Sequence, residues 1–223
     1  MRSFDIKNML PMWLRYRLMD LRGRGEYSHF ADECQCIFIH IPKAAGTSVA
    51  RTLFGKGSRH VPYFEYEKIN RRKFNRYFKF TFVRNPWDRL VSSYFFLKNG
   101  GINDADAKWA KENFADFPDF GSFVRGWVNE ENILSWQHFM PQHYFVCNSD
   151  GKIMVDFVGK MENMQKDFSY VAMKLGCKKE LEKVNVGERK SYASYYNNET
   201  REIVRRFYAK DIELFGYVYD IQK

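Results

Sequence analysis

Cys36-Ile37-Phe38-Ile39-His40-Ile41-Pro42-Lys43-Ala44-Ala45-Gly46-Thr47-Ser48 is the stretch on which the fold turns. Residues 36–41 are a short run rich in β-branched and aromatic side chains, stopped by a proline, which is the pattern of a buried strand. Residues 44–48 are small and turn-forming, and 48–54 read as a short helix. A lysine, small residues and two hydroxyls therefore stand between a strand and a helix. Small residues let the backbone curl closely, so that successive N–H groups point at an anion. The helix N-terminus adds unpaired donors and the positive end of its dipole. Lys43 supplies a point charge, and Thr47 and Ser48 supply hydroxyl donors. The letters differ from the triphosphate loop G-x-x-x-x-G-K-[ST], because the lysine precedes Gly46 by three and the first glycine is missing. That mismatch weakens a kinase reading; an ordinary turn with an N-cap is the plain alternative.

The same layout recurs at Phe80-Thr81-Phe82-Val83-Arg84-Asn85-Pro86-Trp87-Asp88-Arg89-Leu90-Val91-Ser92. Residues 78–83 read as a second strand. Pro86 suits the first turn of a helix over 87–98, which Asn99-Gly100-Gly101 ends. Arg84 leaves the strand at its C-terminal edge, where open α/β sheets bind ligands, and its planar fork suits a phosphate. Ser92 lies two turns into the helix and projects toward that edge. The bland alternative pairs Arg84 with Asp88 and makes Ser92 a packing residue.

Working outward, the periodicity predicts a polar helix over 63–76, an exposed acidic helix over 102–117 and further helix in 119–140. Two short strands are expected in 144–158 around the turn Ser149-Asp150-Gly151. An amphipathic helix follows over 161–175, stopped by Gly176, and a final helix spans 198–215. Strands separated by helices imply an α/β fold: a single domain over 1–223 with a mainly parallel central sheet flanked by helices. Residues 1–30 read as an N-terminal helical extension, with 9–21 an amphipathic capping helix and a weak membrane anchor the minority reading.

Composition sets the outer limits. Apolar residues at 45% and aromatics at 18% of 223 residues exclude a disordered chain. No apolar run approaches the ~18 residues of a membrane span. Lys and Arg outnumber Asp and Glu by 36 to 27, giving +9, and residues 51–90 alone carry eleven basic and three acidic residues, +8 of that excess. Residues 101–131 carry seven acids against three bases. A concentrated positive segment points to an anionic partner. A non-enzymatic polyanion binder is the weakest reading, since no nucleic-acid motif accompanies the charge. Cys34, Cys36, Cys147 and Cys177 have neither zinc spacing nor disulfide-scaffold density, so a reduced, cytoplasmic protein is the default.

Taken together, the P-K-x-x-G-T-S loop and the Arg84…Ser92 pair resemble the sulfotransferases that use 3′-phosphoadenosine 5′-phosphosulfate (PAPS), closest to the carbohydrate O-sulfotransferase branch. Residues 155–160 and 208–217 look like the same family, so the resemblance covers roughly residues 36–217. It implies a P-loop-like nucleotide-binding fold and transfer of a sulfuryl group to a hydroxyl of a glycan or small molecule. By the resemblance, Lys43 contacts the bridging oxygen of the leaving phosphate. Ala45, Gly46, Thr47 and Ser48 cradle the 5′-phosphate, and Arg84 with Ser92 fixes the 3′-phosphate. Lys190, with Ser191, falls where the family often has a late loop over the donor. His60, in Arg59-His60-Val61-Pro62, resembles the family's catalytic histidine; His143 is the reserve base, and His40 is read as structural.

The chemistry fits these types. Charge develops on the departing phosphate, so a fixed cation there is worth more in the transition state than in the ground state. The attacking hydroxyl must lose a proton, a task for a histidine titrating near neutrality. No metal is expected, because the sulfuryl group carries less charge than a phosphoryl group and the histidines lack ligand spacing.

Overall fold

The computed structural model describes residues 11–181 and 190–219. Three short strands form its centre: β1 (Cys36–Ile39), β2 (Phe78–Val83) and β3 (Phe157–Lys160). All run parallel in the order β1-β2-β3, with Phe38 opposite Phe80 and Val83 opposite Lys160. β1 is buried along its whole length, as its unbroken apolar run requires of a parallel strand covered on both faces. The Thr81 hydroxyl donates to the Ile39 carbonyl at 2.7 Å, where β1 ends and the loop begins. Two predicted strand–turn–helix units are present, the helices running Gly46–Phe54 and Pro86–Lys98. The first strand stops at Ile39, two residues short of the expected end, because the chain must already be turning at His40.

Two apolar clusters form the core. One surrounds the strands and includes Tyr27, Phe30, Phe80 and Phe168. The other is an aromatic mass in which helices Pro86–Lys98, Asp104–Asn113 and Phe120–Trp127 meet through Tyr94, Trp109, Phe123, Trp127 and Phe139. Phe123 stacks on Trp127 with centroids 5.0 Å apart, and Trp109 meets Trp127 edge-on at 5.4 Å.

Several expected elements differ. The helix over 63–76 is two, Tyr63–Ile69 and Arg71–Arg76. Asn70 breaks it by taking extended backbone (φ −155°) and capping the second helix, its side chain accepting from the Lys73 N–H. The acidic helix is not merely exposed: Asp106, Trp109 and Ala110 are buried. Within 119–140 the helical pieces are Phe120–Trp127 and Asn132–Ser135, and Leu134 is exposed. Residues 144–158 hold no strand pair. A helical turn, His143–Val146, stands there instead, followed by a single antiparallel bridge from Cys147 to Ile153 before β3 begins at Phe157. The final helix is also divided, into Asn198–Phe207 and Ala209–Phe215. In the N-terminal region, the helix Met12–Leu21 keeps Met12, Met19 and Leu21 exposed, which is not a clean amphipathic cap. It is held by Asp20, which accepts from Asn70 Nδ2 at 2.9 Å and Lys73 Nζ at 2.8 Å. Residues 27–31, assigned to the extension, are core: Tyr27, Phe30 and Ala31 are buried against the sheet. No helix among the described residues is long and apolar enough to cross a membrane.

Candidate functional site

All three strands deliver their C-terminal ends to one cavity of about 730 Å³. From β1 come His40, Lys43 and the stretch Ala45–Ser48; from β2 come Arg84 and, two turns on, Ser92; β3 contributes Met161. Of the residues singled out in the sequence, Lys43, Ala45, Gly46, Thr47, Ser48, His60, Arg84 and Ser92 all line this one space. Lys190 does not; it is exposed and lies outside the cavity lining. Residues 186–189, which precede it in the same motif, fall outside the described residues.

The loop owes its shape to an unusual backbone. Lys43 (φ 66°) and Ala45 (φ 61°) both adopt the left-handed region, which costs a non-glycine residue about 1–2 kcal/mol. Neither position is glycine, so the surroundings enforce the turn. Pro42 accepts from buried Arg89 Nε at 3.0 Å, and Lys43 accepts from Arg84 Nη1 at 3.1 Å, both through their carbonyls. Gly46 is required for space: a Cβ there would fall 2.0 Å from His40 Cδ2. The helix then begins with Ser48 and Val49 donating to the Ala45 carbonyl, while the N–H groups of Gly46 and Thr47 have no backbone acceptor among the described residues. Those two donors, the Thr47 and Ser48 hydroxyls and the Lys43 ammonium make an anion cradle. The ammonium also rests over the Phe96 ring, 3.8 Å from its centroid.

Arg84 is buried and partly committed. Its Nε and Nη2 each donate to Asp88 Oδ2 at 2.8 Å, the pairing foreseen as the bland alternative. With Nη1 bound to the Lys43 carbonyl, three of its five N–H donors are used and two remain for a ligand. Gln142 holds the strand end on both sides: its Oε1 accepts from the Arg84 N–H at 2.9 Å and its Nε2 donates to the Arg84 carbonyl at 2.8 Å.

His60 is oriented without ambiguity. Its Nδ1 lies 3.0 Å from the His40 carbonyl oxygen, which can only accept, so Nδ1 carries the proton and Nε2 is the basic nitrogen. Burial pushes its pKa below the ordinary histidine value; the His40 bond opposes this, and the Arg89 and Lys43 charges add to the depression. His60 is therefore neutral at pH 7. His40, read as structural, also lines the cavity; its ring is buried, stacks on Phe38 and pairs through Nδ1 with Ser58 Oγ at 2.8 Å. His143, the reserve base, is excluded from the cavity. Asp211, fully buried, takes its Nδ1 at 2.6 Å together with the N–H groups of Gln142 and His143. Tyr192 and Tyr196 belong to the aromatic core, packing edge-on against Tyr219, with the Tyr196 hydroxyl donating to the Trp87 carbonyl.

Sequence reasoning missed part of the lining. Asn103, Asp106 and His138 come from segments with no motif, and Phe96 from the far end of the second motif's helix; they meet the loop through the packing of the aromatic cluster. Among the described residues, no group of His, Cys, Asp and Glu is arranged to hold a metal ion.

Comparison with known proteins agrees with this geometry. A family model described as "Sulfotransferase family" matches residues 28–218. The chain is 28% identical to carbohydrate sulfotransferase 14 of Danio rerio, over 66% of this chain and 46% of that protein. It is 30% identical to an uncharacterized protein of Archaeoglobus fulgidus, over 52% of this chain and 81% of the relative. Sulfotransferase 2A1 of Mus musculus is 32% identical over 41% and 37%. The chain thus spans less than half the length of these two vertebrate relatives. No solved structure gives a significant match.

Proposed function

The chain belongs to the sulfotransferase family, and from that premise we propose that it transfers the sulfuryl group of PAPS to a hydroxyl, with His60 as the base. One observation carries the reading: a single cavity joins an anion cradle built on Lys43 and the Gly46–Phe54 helix N-terminus to a neutral histidine whose Nε2 is unprotonated. The donor set suits a molecule with two separate phosphate ends. Lys43, Gly46, Thr47 and Ser48 would hold one, and the two remaining N–H groups of Arg84 with Ser92 would hold the other. When bound, the donor supplies the sulfuryl group and a phosphate leaving group. Lys43 is the cation that would meet the charge the leaving group gains. His60 takes the acceptor's proton on Nε2, and its Nδ1–H bond to the His40 carbonyl keeps the ring from turning as it becomes charged. A glycan acceptor is favoured by the similarity to carbohydrate sulfotransferase 14 of Danio rerio. A cytoplasmic setting belongs to the same proposal and rests on cysteine usage alone.

The test is a thermal-shift comparison of adenosine 3′,5′-bisphosphate with ATP and Mg²⁺, followed by transfer of labelled sulfate. At 100 times its Kd a ligand adds about 2.7 kcal/mol of stability, or roughly 5–11 °C in a chain of this size. Lys43→Ala and Arg84→Ala should abolish that shift or the transfer. His60→Ala should keep the shift and lose about 10²–10⁴-fold in turnover. Stabilisation by ATP with Mg²⁺ and none by the bisphosphate would return the protein to the kinase class.

A further inference from the structure

Two buried side chains in this cavity have no part in the chemistry above. His138 is 5% exposed and Asp106 2% exposed, and both line the space that holds His60. The His138 ring is wedged between Phe96, 5.0 Å away, and Trp136, with which it stacks at 6.4 Å. Its own carbonyl is fixed by the Ser93 hydroxyl at 2.7 Å. Nδ1 is sealed from solvent, makes no hydrogen bond and lies 3.8 Å from Asp106 Oδ1. That leaves Nε2 as the ring nitrogen meeting the cavity.

Asp106 is placed with equal care. Its Oδ2 accepts from the Ile102 N–H at 3.3 Å, and its N–H donates to Asn103 Oδ1 at 2.9 Å. Gly101 (φ 65°) makes room for it, since a Cβ there would fall 2.2 Å from Asp106 Cβ. The other carboxylate oxygen is free to face His138. Of the two ring nitrogens, Nδ1 is the one that faces a carboxylate, so the electrostatically favoured tautomer carries its proton there and leaves Nε2 as a hydrogen-bond acceptor. Burial, then the nearby charges of His60, Lys43 and Arg89, push the His138 pKa down to about 3, so the ring is neutral despite Asp106.

His60 and His138 thus present two unprotonated nitrogens to one cavity, their ring centroids 6.1 Å apart. Two acceptors side by side call for a molecule that brings two donors. We propose that His138, oriented by Asp106, is a specificity-determining residue that accepts a hydrogen bond from a second hydroxyl on the acceptor, next to the hydroxyl that His60 deprotonates. The proposal rests on the sulfuryl-transfer reading of the same cavity. An acceptor with one hydroxyl leaves the His138 nitrogen desolvated and unpaired, which is worth roughly tenfold to a hundredfold in kcat/KM.

Trans-cyclohexane-1,2-diol and cyclohexanol are the probes, with labelled PAPS as donor. Wild-type protein should favour the diol at least tenfold. In His138→Ala the preference should fall to about threefold or less, chiefly through a higher KM for the diol. His138→Gln, whose amide oxygen still accepts, should recover part of it, and Asp106→Asn should lie between. A second measurement needs no turnover and no variant that folds. In protein with ¹⁵N-labelled histidine, saturated with adenosine 3′,5′-bisphosphate, His138 should show the Nδ1-protonated tautomer. Its Nε2 signal should move with the diol and stay put with cyclohexanol. An undiminished preference in His138→Ala, equal use of the two alcohols by wild type, or an Nε2 signal indifferent to the diol overturns the inference while leaving sulfuryl transfer intact. Absence of bisphosphate binding overturns both.

Discussion

Replacing Gly46 by alanine sets two effects against each other, and the structure says which wins. Gly46 opens a helix without left-handed backbone, so intrinsic propensity alone would favour alanine by up to about 1 kcal/mol. The added Cβ, however, would lie 2.0 Å from His40 Cδ2, 2.4 Å from Nε2 and 2.8 Å from Cγ. That ring is 4% exposed, stacked on Phe38, tied to Ser58 Oγ and 4.1 Å from the His60 ring, so any shift away from the Cβ gives up those contacts. Overpacking of a fixed neighbour costs about 1–3 kcal/mol, and loss of the Ser58 bond adds about 1 kcal/mol. The net is destabilisation of about 2 kcal/mol, or a Tm lower by roughly 4–8 °C. Thermal unfolding followed by circular dichroism measures it. Gly57→Ala is the control, since a Cβ there meets nothing within 4 Å and should change stability by less than about 0.5 kcal/mol. Adding His40→Ala should relieve the clash, giving a coupling of at least about 1 kcal/mol in the double-mutant cycle. A Gly46→Ala protein as stable as the parent, or more so, refutes the steric argument.

Two further outcomes follow from buried charge. Burial is the main depressor of the His60 pKa and Arg89 the leading cation, so kcat/KM should rise with pH to a plateau through a midpoint below 6.5. Arg89→Met should move that midpoint upward; an unmoved midpoint contradicts the role given to Arg89. Asp211→Ala strands the N–H groups of Gln142 and His143 together with His143 Nδ1. At about 1–3 kcal/mol per unpaired buried donor, urea unfolding should show a loss of at least about 3 kcal/mol, and a loss under 1 kcal/mol would sink the assignment.

What was legible in the chain, and what was not, follows from the range of the interactions involved. The stretch 36–48 and the strand–turn–helix at 78–98 encode their structure locally, through a β-branched run, Pro42 and Pro86; both units are present, the first with its strand two residues shorter and its helix starting two residues earlier than read. His60 was singled out through the family resemblance and not by a local signal of its own, and it lines the cavity. Asp106 and His138 carry no local signal; they meet because Trp109, Phe139 and their neighbours pack, which is a tertiary event. The misreading at 144–158 has the same origin. The segment is apolar enough for a strand, but Asp211, from the far end of the chain, captures the N–H groups of Gln142 and His143 just before it, where the helical turn 143–146 forms. Asn70 shows the opposite case, where a capping side chain that sequence could have flagged was hidden inside an apparently continuous polar helix.

The bond from Arg84 Nη1 to the Lys43 carbonyl ties the tip of one strand-exit loop to the other. The consequence is thermodynamic non-additivity across the cavity. Removing the Arg84 guanidinium also removes a donor from the Lys43 carbonyl, so substitutions at the two ends of the cavity should not be additive.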